Sequence, residues 1–371
     1  MNAASPGSTV LICPGTYAEQ VEITKPLTVR GVRSGNMGAA VVLPPVAGLI
    51  VPPGGGTVTA PQVFVHNTSG VTISNLTVDG SNNQVTSCVS PPDVEGVYFR
   101  NASGTIENVV ARNQTVSVAG TDCGDGIGLR VSGDLSPAIV TIENNTVSTY
   151  DFTAIFVSFP LANVTIRNNS VVGQPGTIGI VLYLDAVGRV YDNSVVGNTN
   201  AAFGGAGILV QGVHDAVISG NHFGNNGYGI AFNSFQGAPN SDNGTIMDND
   251  VFGSDGDGIA ICGDNNLVQR NTIAGSIKSG VNLVTSATFG GGTLCTANNN
   301  TVTGNTLNGA CAGILVDPAA TGNTVSSDNR FFNTINLQLT GISCPLPPAA
   351  GAVNAMQSIR RSAPLAVRQG N

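Results

Sequence analysis

Apolar and polar positions recur along this chain in one fixed phrase. At 140–149 it reads VTIENNTVST, and it returns as VTIRNNSVVG at 164, AVISGNHFGN at 216 and GTIMDNDVFG at 244. The shared frame is apolar, two variable positions, Asn, one variable position, apolar. Ile142/Asn145/Val147, Ile166/Asn169/Val171, Val190/Asn193/Val195, Ile218/Asn221/Phe223, Ile246/Asn249/Val251, Val268/Asn271/Ile273 and Val302/Asn305/Leu307 occupy it, with a stretched copy at Val325 and Asn329. Successive Asn residues up to Asn305 lie 24, 24, 28, 28, 22 and 34 residues apart. Periods of that length mean a solenoid. Upstream, Ile73 and Ile106 begin the same phrase, but Leu76 and Val109 replace the Asn.

A second signature follows each phrase by about ten residues: GDGIGLRV, FTAIFVSF, TIGIVLYL, GAGILVQG, GYGIAFNS, GDGIAICG, KSGVNLVT and CAGILVDP. These are short alternating apolar segments, most of them introduced by Gly, as strands after a tight turn should be. No stretch keeps a helical period beyond a turn or two. Two or three short strands per repeat predict an all-β, single-stranded parallel β-helix of about ten to eleven coils, stacked about 4.8 Å apart. The bend between strands calls for a residue tolerant of left-handed backbone angles, which Asn is. Stacked Asn amides also hydrogen-bond from coil to coil. The recurring Asn is therefore read as structural.

Composition agrees with a packed core. The 371 residues are 41% hydrophobic, 5% aromatic and only 10% charged, with 49 Gly and no Trp. Disorder needs the reverse, low hydrophobicity with high net charge. A net charge of −8 offers no electrostatic footprint for nucleic acid. No apolar run reaches the roughly 20 residues of a membrane span.

The opening segment TVLICPGTYAEQVEITKPLTVRGV, residues 9–32, resembles the first coil of the right-handed parallel β-helix families of the pectin-lyase-like superfamily, pectin methylesterases and bacterial β-helix repeat proteins in particular. With the Asn ladder, the resemblance covers residues 9–340. It implies the right-handed fold and leaves the reaction open, because that superfamily holds lyases, hydrolases, esterases, epimerases and phage tailspikes. Pectin methylesterases carry segments like QDT, DFIFG and GRPW; here YDFTAIFV keeps only Asp151 and Phe152. The NTD, DD and HG motifs of polygalacturonases, the DPHE of mannuronan epimerases and the Arg-rich segment of pectate lyases have no counterpart. His66, His214 and His222 show no metal-ligand spacing.

Candidate chemistry therefore sits on the strands of the second signature. Taking Ile127, Ile155, Ile180, Ile230, Ile259 and Ile314 as inward predicts an outward strip of Asp125, Arg130, Ser158, Tyr183, Tyr228, Asn233, Asp257 and Asp317. Carboxylates mixed with aromatic rings suit an extended sugar chain. Asp125, Asp151 and Asp257 are the candidate catalytic carboxylates, and Arg130, Tyr183, Tyr228 and Asn233 the candidate substrate contacts. Asp122 and Asp255 are candidate calcium ligands, in a protein that otherwise calls for no cofactor. Asp-Gly is also ordinary turn chemistry.

Seven cysteines include three pairs about one coil apart, predicting disulfides Cys88–Cys123, Cys262–Cys295 and Cys311–Cys344, with Cys13 left over. Such bonds imply a secreted or cell-surface protein; the alternative is a set of buried thiols. The β-helix is expected over 1–344 and a Pro/Ala-rich tail or packing segment over 345–371. A strand at Thr9 predicts an open first coil, a route to end-to-end self-association. Two functions compete: a protein that binds or processes an extracellular polysaccharide, as a lyase or hydrolase would, and a non-catalytic rod or adhesin. Ice binding would need a Thr-x-Thr ladder that the chain lacks.

Overall fold

The computed structural model describes residues 1–338 apart from position 2 and segments 33–38, 54–58, 90, 119–120, 123, 200–203, 235–239, 286–294 and 333–334. Cys344 and the segment 345–371 lie outside the described residues. The chain winds into three parallel sheets of twelve strands each, every sheet taking one strand per coil in chain order. Coil 1 is Ser8–Ile12, Gly15–Ala18 and Val21–Ile23, and coil 12 is Thr324–Val325, Arg330–Phe332 and Ile335–Gln338. The described residues form twelve coils, where the repeat phrase predicted ten to eleven. The extra turns lie at the ends, where the phrase fades.

Register explains the phrase. Ile73, Ile106, Ile142, Ile166, Val190, Ile218, Ile246, Val268, Val302 and Val325 pair in succession down the first sheet. All but Val325 are fully buried, and one apolar core runs the length of the stack. Each coil alone could not bury its apolar side; its neighbours close it.

The Asn ladder is present, with one change of reason. Asn169 Nδ2 donates to the Ile142 carbonyl and to Asn193 Oδ1, each at 2.9 Å, while its own Oδ1 accepts from the backbone N–H and the amide of Asn145 at 3.0 Å. The same pattern continues through Asn193, Asn221, Asn249, Asn271 and Asn305 to Asn329. Left-handed backbone falls instead on the preceding residue: Asn144, Asn168, Asp192, Gly220, Asp248, Arg270 and Gly304 all have φ between 53° and 65°. Two separate demands meet there, a left-handed residue and then an inward amide. At its start the ladder meets Val109, whose N–H donates to Asn145 Oδ1 at 2.9 Å.

Two further ladders went unread in the sequence. Asn198 bonds Asn226 at one corner, and Asn266 bonds Asn300 at another, each through backbone and side-chain N–H. Cys262 and Cys295 are joined as predicted, with Cα atoms 5.6 Å apart. Cys88 and Cys311 are also disulfide-bonded, while their expected partners Cys123 and Cys344 lie outside the described residues. Cys13 is an exposed free thiol.

Candidate functional site

The strands of the second signature form the third sheet, and their outward side chains stack in three columns. One runs Glu95, Ile127, Thr153, Ile178, Ala206, Tyr228; the next Tyr98, Arg130, Phe156, Val181, Leu209, Ala231; the last Arg100, Ser132, Ser158, Tyr183, Gln211, Asn233. Ile127 therefore belongs outside, packed with Phe152, Phe156 and Ile178, and Leu129 holds the inward place expected for it. Alternation slips because a small residue and the aliphatic after it both face the core. Ala154 and Ile155 do so together. At Gly128 an added Cβ would lie 2.4 Å from Val147 Cγ1 and 2.7 Å from the Ala154 carbonyl oxygen.

Arg130 is the centre of the polar part of this face. Its Nη1 meets Glu95 Oε1 at 2.5 Å, and its guanidinium lies 4.9 Å from the Tyr98 ring centre and 5.3 Å from that of Phe156. Tyr98 in turn shares a 2.6 Å hydrogen bond with Ser132. Burial pushes Glu95 up to about 7 despite the attraction of Arg130, and pushes Asp93 up to about 6 against the same cation and a backbone hydrogen bond from Asp125. Burial alone would lower Arg130; Tyr98, Glu95 and Asp93 around it raise it instead. Glu95 Oε2 and Arg130 Nε are buried with no hydrogen-bond partner among the described residues. Burial, only partly offset by the fixed cation, is what moves both carboxyls toward neutrality.

The strip is not an open groove. Arg130, Ser158, Tyr183, Asn233, Asp125 and Asp257 are all buried, and Tyr228 and Asp317 are partly exposed. Tyr183 lies in the apolar cluster, its ring 6.1 Å from that of Phe156. Asp125 immediately precedes the strand Gly126–Ser132 and bonds the Asp93 end of the neighbouring strand through its carbonyl, which accepts from Val94 N–H at 2.9 Å. Asp151 accepts from the Val116 N–H and packs against Gly126, which fastens the 115–116 turn to coil 5.

Asp257 lies farther along, with a full set of partners: Ser279 Oγ at 2.5 Å, Asn282 Nδ2 at 2.9 Å and Lys278 Nζ at 3.4 Å. Burial, then the charge of Asp257, raises Tyr228. The backbone carbonyl of Asn233 accepts from Ser241 Oγ at 2.6 Å. Asp317 accepts from Thr285 at 2.9 Å. The predicted residues thus divide into an Arg130 group and an Asp257 group. Asp255 is partly exposed, and the Asp122 side chain lies outside the described residues. Among the described residues no three His, Cys, Asp or Glu side chains converge on a metal position.

Glu95, Asp93 and Tyr98 were missed in the sequence. Strict alternation along DVEGVYFR puts both carboxylates with Val97 and Phe99, which are core residues. The Gly before an aliphatic was the available signal for the slip.

Comparison with known proteins follows the fold. Residues 95–273 match the family described as right handed β-helix region. The chain is similar to the Dettilon tailspike protein gp208, at 16% identity and a TM-score of 0.59 over 89% of this chain, and it spans 61% of the tailspike's length. It is also similar to a mutant of the periplasmic alginate epimerase AlgG, at 12% identity and a TM-score of 0.51 over 90% of this chain and 79% of that one. The surface protein and adhesin PfbA of Streptococcus pneumoniae shows 13% identity and a TM-score of 0.51 over 89% of this chain and 91% of that one. No curated protein matches by sequence. Register, ladder and comparisons agree that this chain is, in fold, a right-handed parallel β-helix.

Proposed function

We propose that this protein is secreted and binds a polysaccharide on the outer face of its third sheet, around Arg130. The observation that supports it is the orphaned pair within one ion pair: Glu95 Oε2 wants a donor and Arg130 Nε wants an acceptor. A sugar hydroxyl is both, and the rings of Tyr98 and Phe156 beside the guanidinium supply flat apolar surface. In a processing reaction Glu95, protonated near neutrality, acts as the acid, and Asp93 or Asp125 as the second carboxylate. Asp257 with Tyr228 and Asn233 forms a second contact region along the same face. Asp151 serves to hold the loop over coil 4. Disulfides favour an oxidising compartment.

Burial of the same cluster favours a second reading, a non-catalytic rod or adhesin in which Arg130 and Glu95 only stitch two coils together. One panel separates them. Purified protein is tested on pectin, alginate, xylan and glycosaminoglycans for retention, for unsaturated ends by ultraviolet absorbance and for reducing ends. Retention with new ends supports processing; retention alone supports binding. Neither on any glycan overturns the polysaccharide reading and leaves the rod.

A further inference from the structure

Among the described residues, the cations on the outer face of the third sheet are already engaged by carboxylates. Arg100 reaches Asp134 at 2.6 Å, Arg130 reaches Glu95 at 2.5 Å and Lys278 reaches Asp257 at 3.4 Å. Asp93 adds a further carboxyl, acting on the same Arg130. At pH 7.5, above about 7 for Glu95 and about 6 for Asp93, the face thus has more acid than base before any ligand arrives. A uronate chain, with a carboxylate on every residue, would meet that excess and find its cations taken.

Uncharged hydroxyls meet the opposite situation. Besides Glu95 Oε2 and Arg130 Nε, the hydroxyls of Thr153 and Ser158 and both amide atoms of Gln211 have no hydrogen-bond partner among the described residues. All five side chains are between 0% and 3% exposed. They stand in the three outward columns, on coils 3, 4, 5 and 7. Buried polar groups in folded proteins are nearly always paired, so a run of orphans along one face calls for a ligand that both donates and accepts. A carboxylate only accepts.

We infer that this face takes an uncharged glycan and discriminates against uronate polymers, with hydroxyls lying against Glu95, Arg130, Thr153, Ser158 and Gln211. The inference rests on the reading of the face as a glycan site.

Affinity electrophoresis of the whole protein at low salt and pH 7.5 tests it, with xylan, mannan and mixed-linkage glucan set against polygalacturonate and alginate. Retention by a neutral polymer and passage through the uronates is the expected result. Retention by uronates as strong as by neutral polymers, or stronger, overturns the inference and leaves the glycan reading intact; no retention by either class overturns both. Ser158→Ala with Gln211→Leu, checked by thermal melting, should weaken neutral binding about tenfold. Asp93→Asn with Glu95→Gln releases Arg130 and should raise uronate binding about tenfold. Unchanged uronate binding by that folded variant overturns the charge argument; should it fail to fold, the Ser158/Gln211 variant decides, and undiminished neutral binding overturns the inference.

Discussion

Asn169 and Glu95 are both buried polar side chains, and they have opposite accounts. The Asn169 amide has each of its hydrogen-bonding positions served by a neighbouring coil. Glu95 has one oxygen on Arg130 and the other orphaned. Desolvation therefore dominates at Glu95, lifting it from 4.5 to about 7, and at Asp93, lifting it from 3.8 to about 6. The folded protein then holds protons that the unfolded chain has already released between those values. Stability from both groups is present below their ordinary values and is lost as pH rises through about 6 to 7, by up to about 1.4 kcal/mol per pH unit for each proton. Melting temperature should fall from pH 4.5 to pH 8, and Glu95→Gln should flatten the profile. A wild-type profile that rises over that interval would contradict the assignment.

The strand is where the sequence was most and least legible. Ile106, Ile142 and Ile166 recur because each faces its equivalent one coil away, so the pattern that builds the core is the pattern that repeats. The polar site repeats nothing. Its carboxylates were hidden because alternation, counted through Gly96, assigns Asp93 and Glu95 to the side of Val97 and Phe99. Glycine at this position is a requirement of close stacking, since successive coils meet there backbone to backbone. At Gly229 an added Cβ would lie 2.3 Å from Val251 Cγ1 and 2.6 Å from the Gly258 carbonyl oxygen; Gly207 and Gly280 face the same two kinds of neighbour. Gly229→Ala should therefore destabilise by about 2 kcal/mol, measured by urea denaturation, although Ala is the better residue for an unconstrained strand. A neutral or stabilising effect would mean that coils 8 and 9 can part at that corner without cost.

At the scale of the molecule, a stack of twelve coils is held by nearest-neighbour contacts, so loss of structure should begin at an end and travel. The two ends are unequal. Coils 5 to 12 each place one Asn in the long ladder, which ends at Asn329, whereas coils 3 and 4 have Leu76 and Val109 in its place; the coil 12 strand Thr324–Val325 is two residues long. The Cys262–Cys295 bond closes a 33-residue loop around coil 10, with Val284 packed against both sulfurs' side chains. A loop of that length corresponds to about 3 to 4 kcal/mol when the cross-link acts mainly on the unfolded chain. Its effect should be local, because coils 4 to 8 do not contain either cysteine and keep their own ladder and core. Cys262→Ser with Cys295→Ser should raise hydrogen exchange in Ile259–Ile261, Ser279–Leu283 and Ala312–Val316 while leaving Ala138–Glu143 and Ala162–Arg167 protected. Uniform loss of protection across all coils would show instead that the solenoid unfolds as one cooperative unit, and that the Arg130 face and the C-terminal coils cannot be loosened separately.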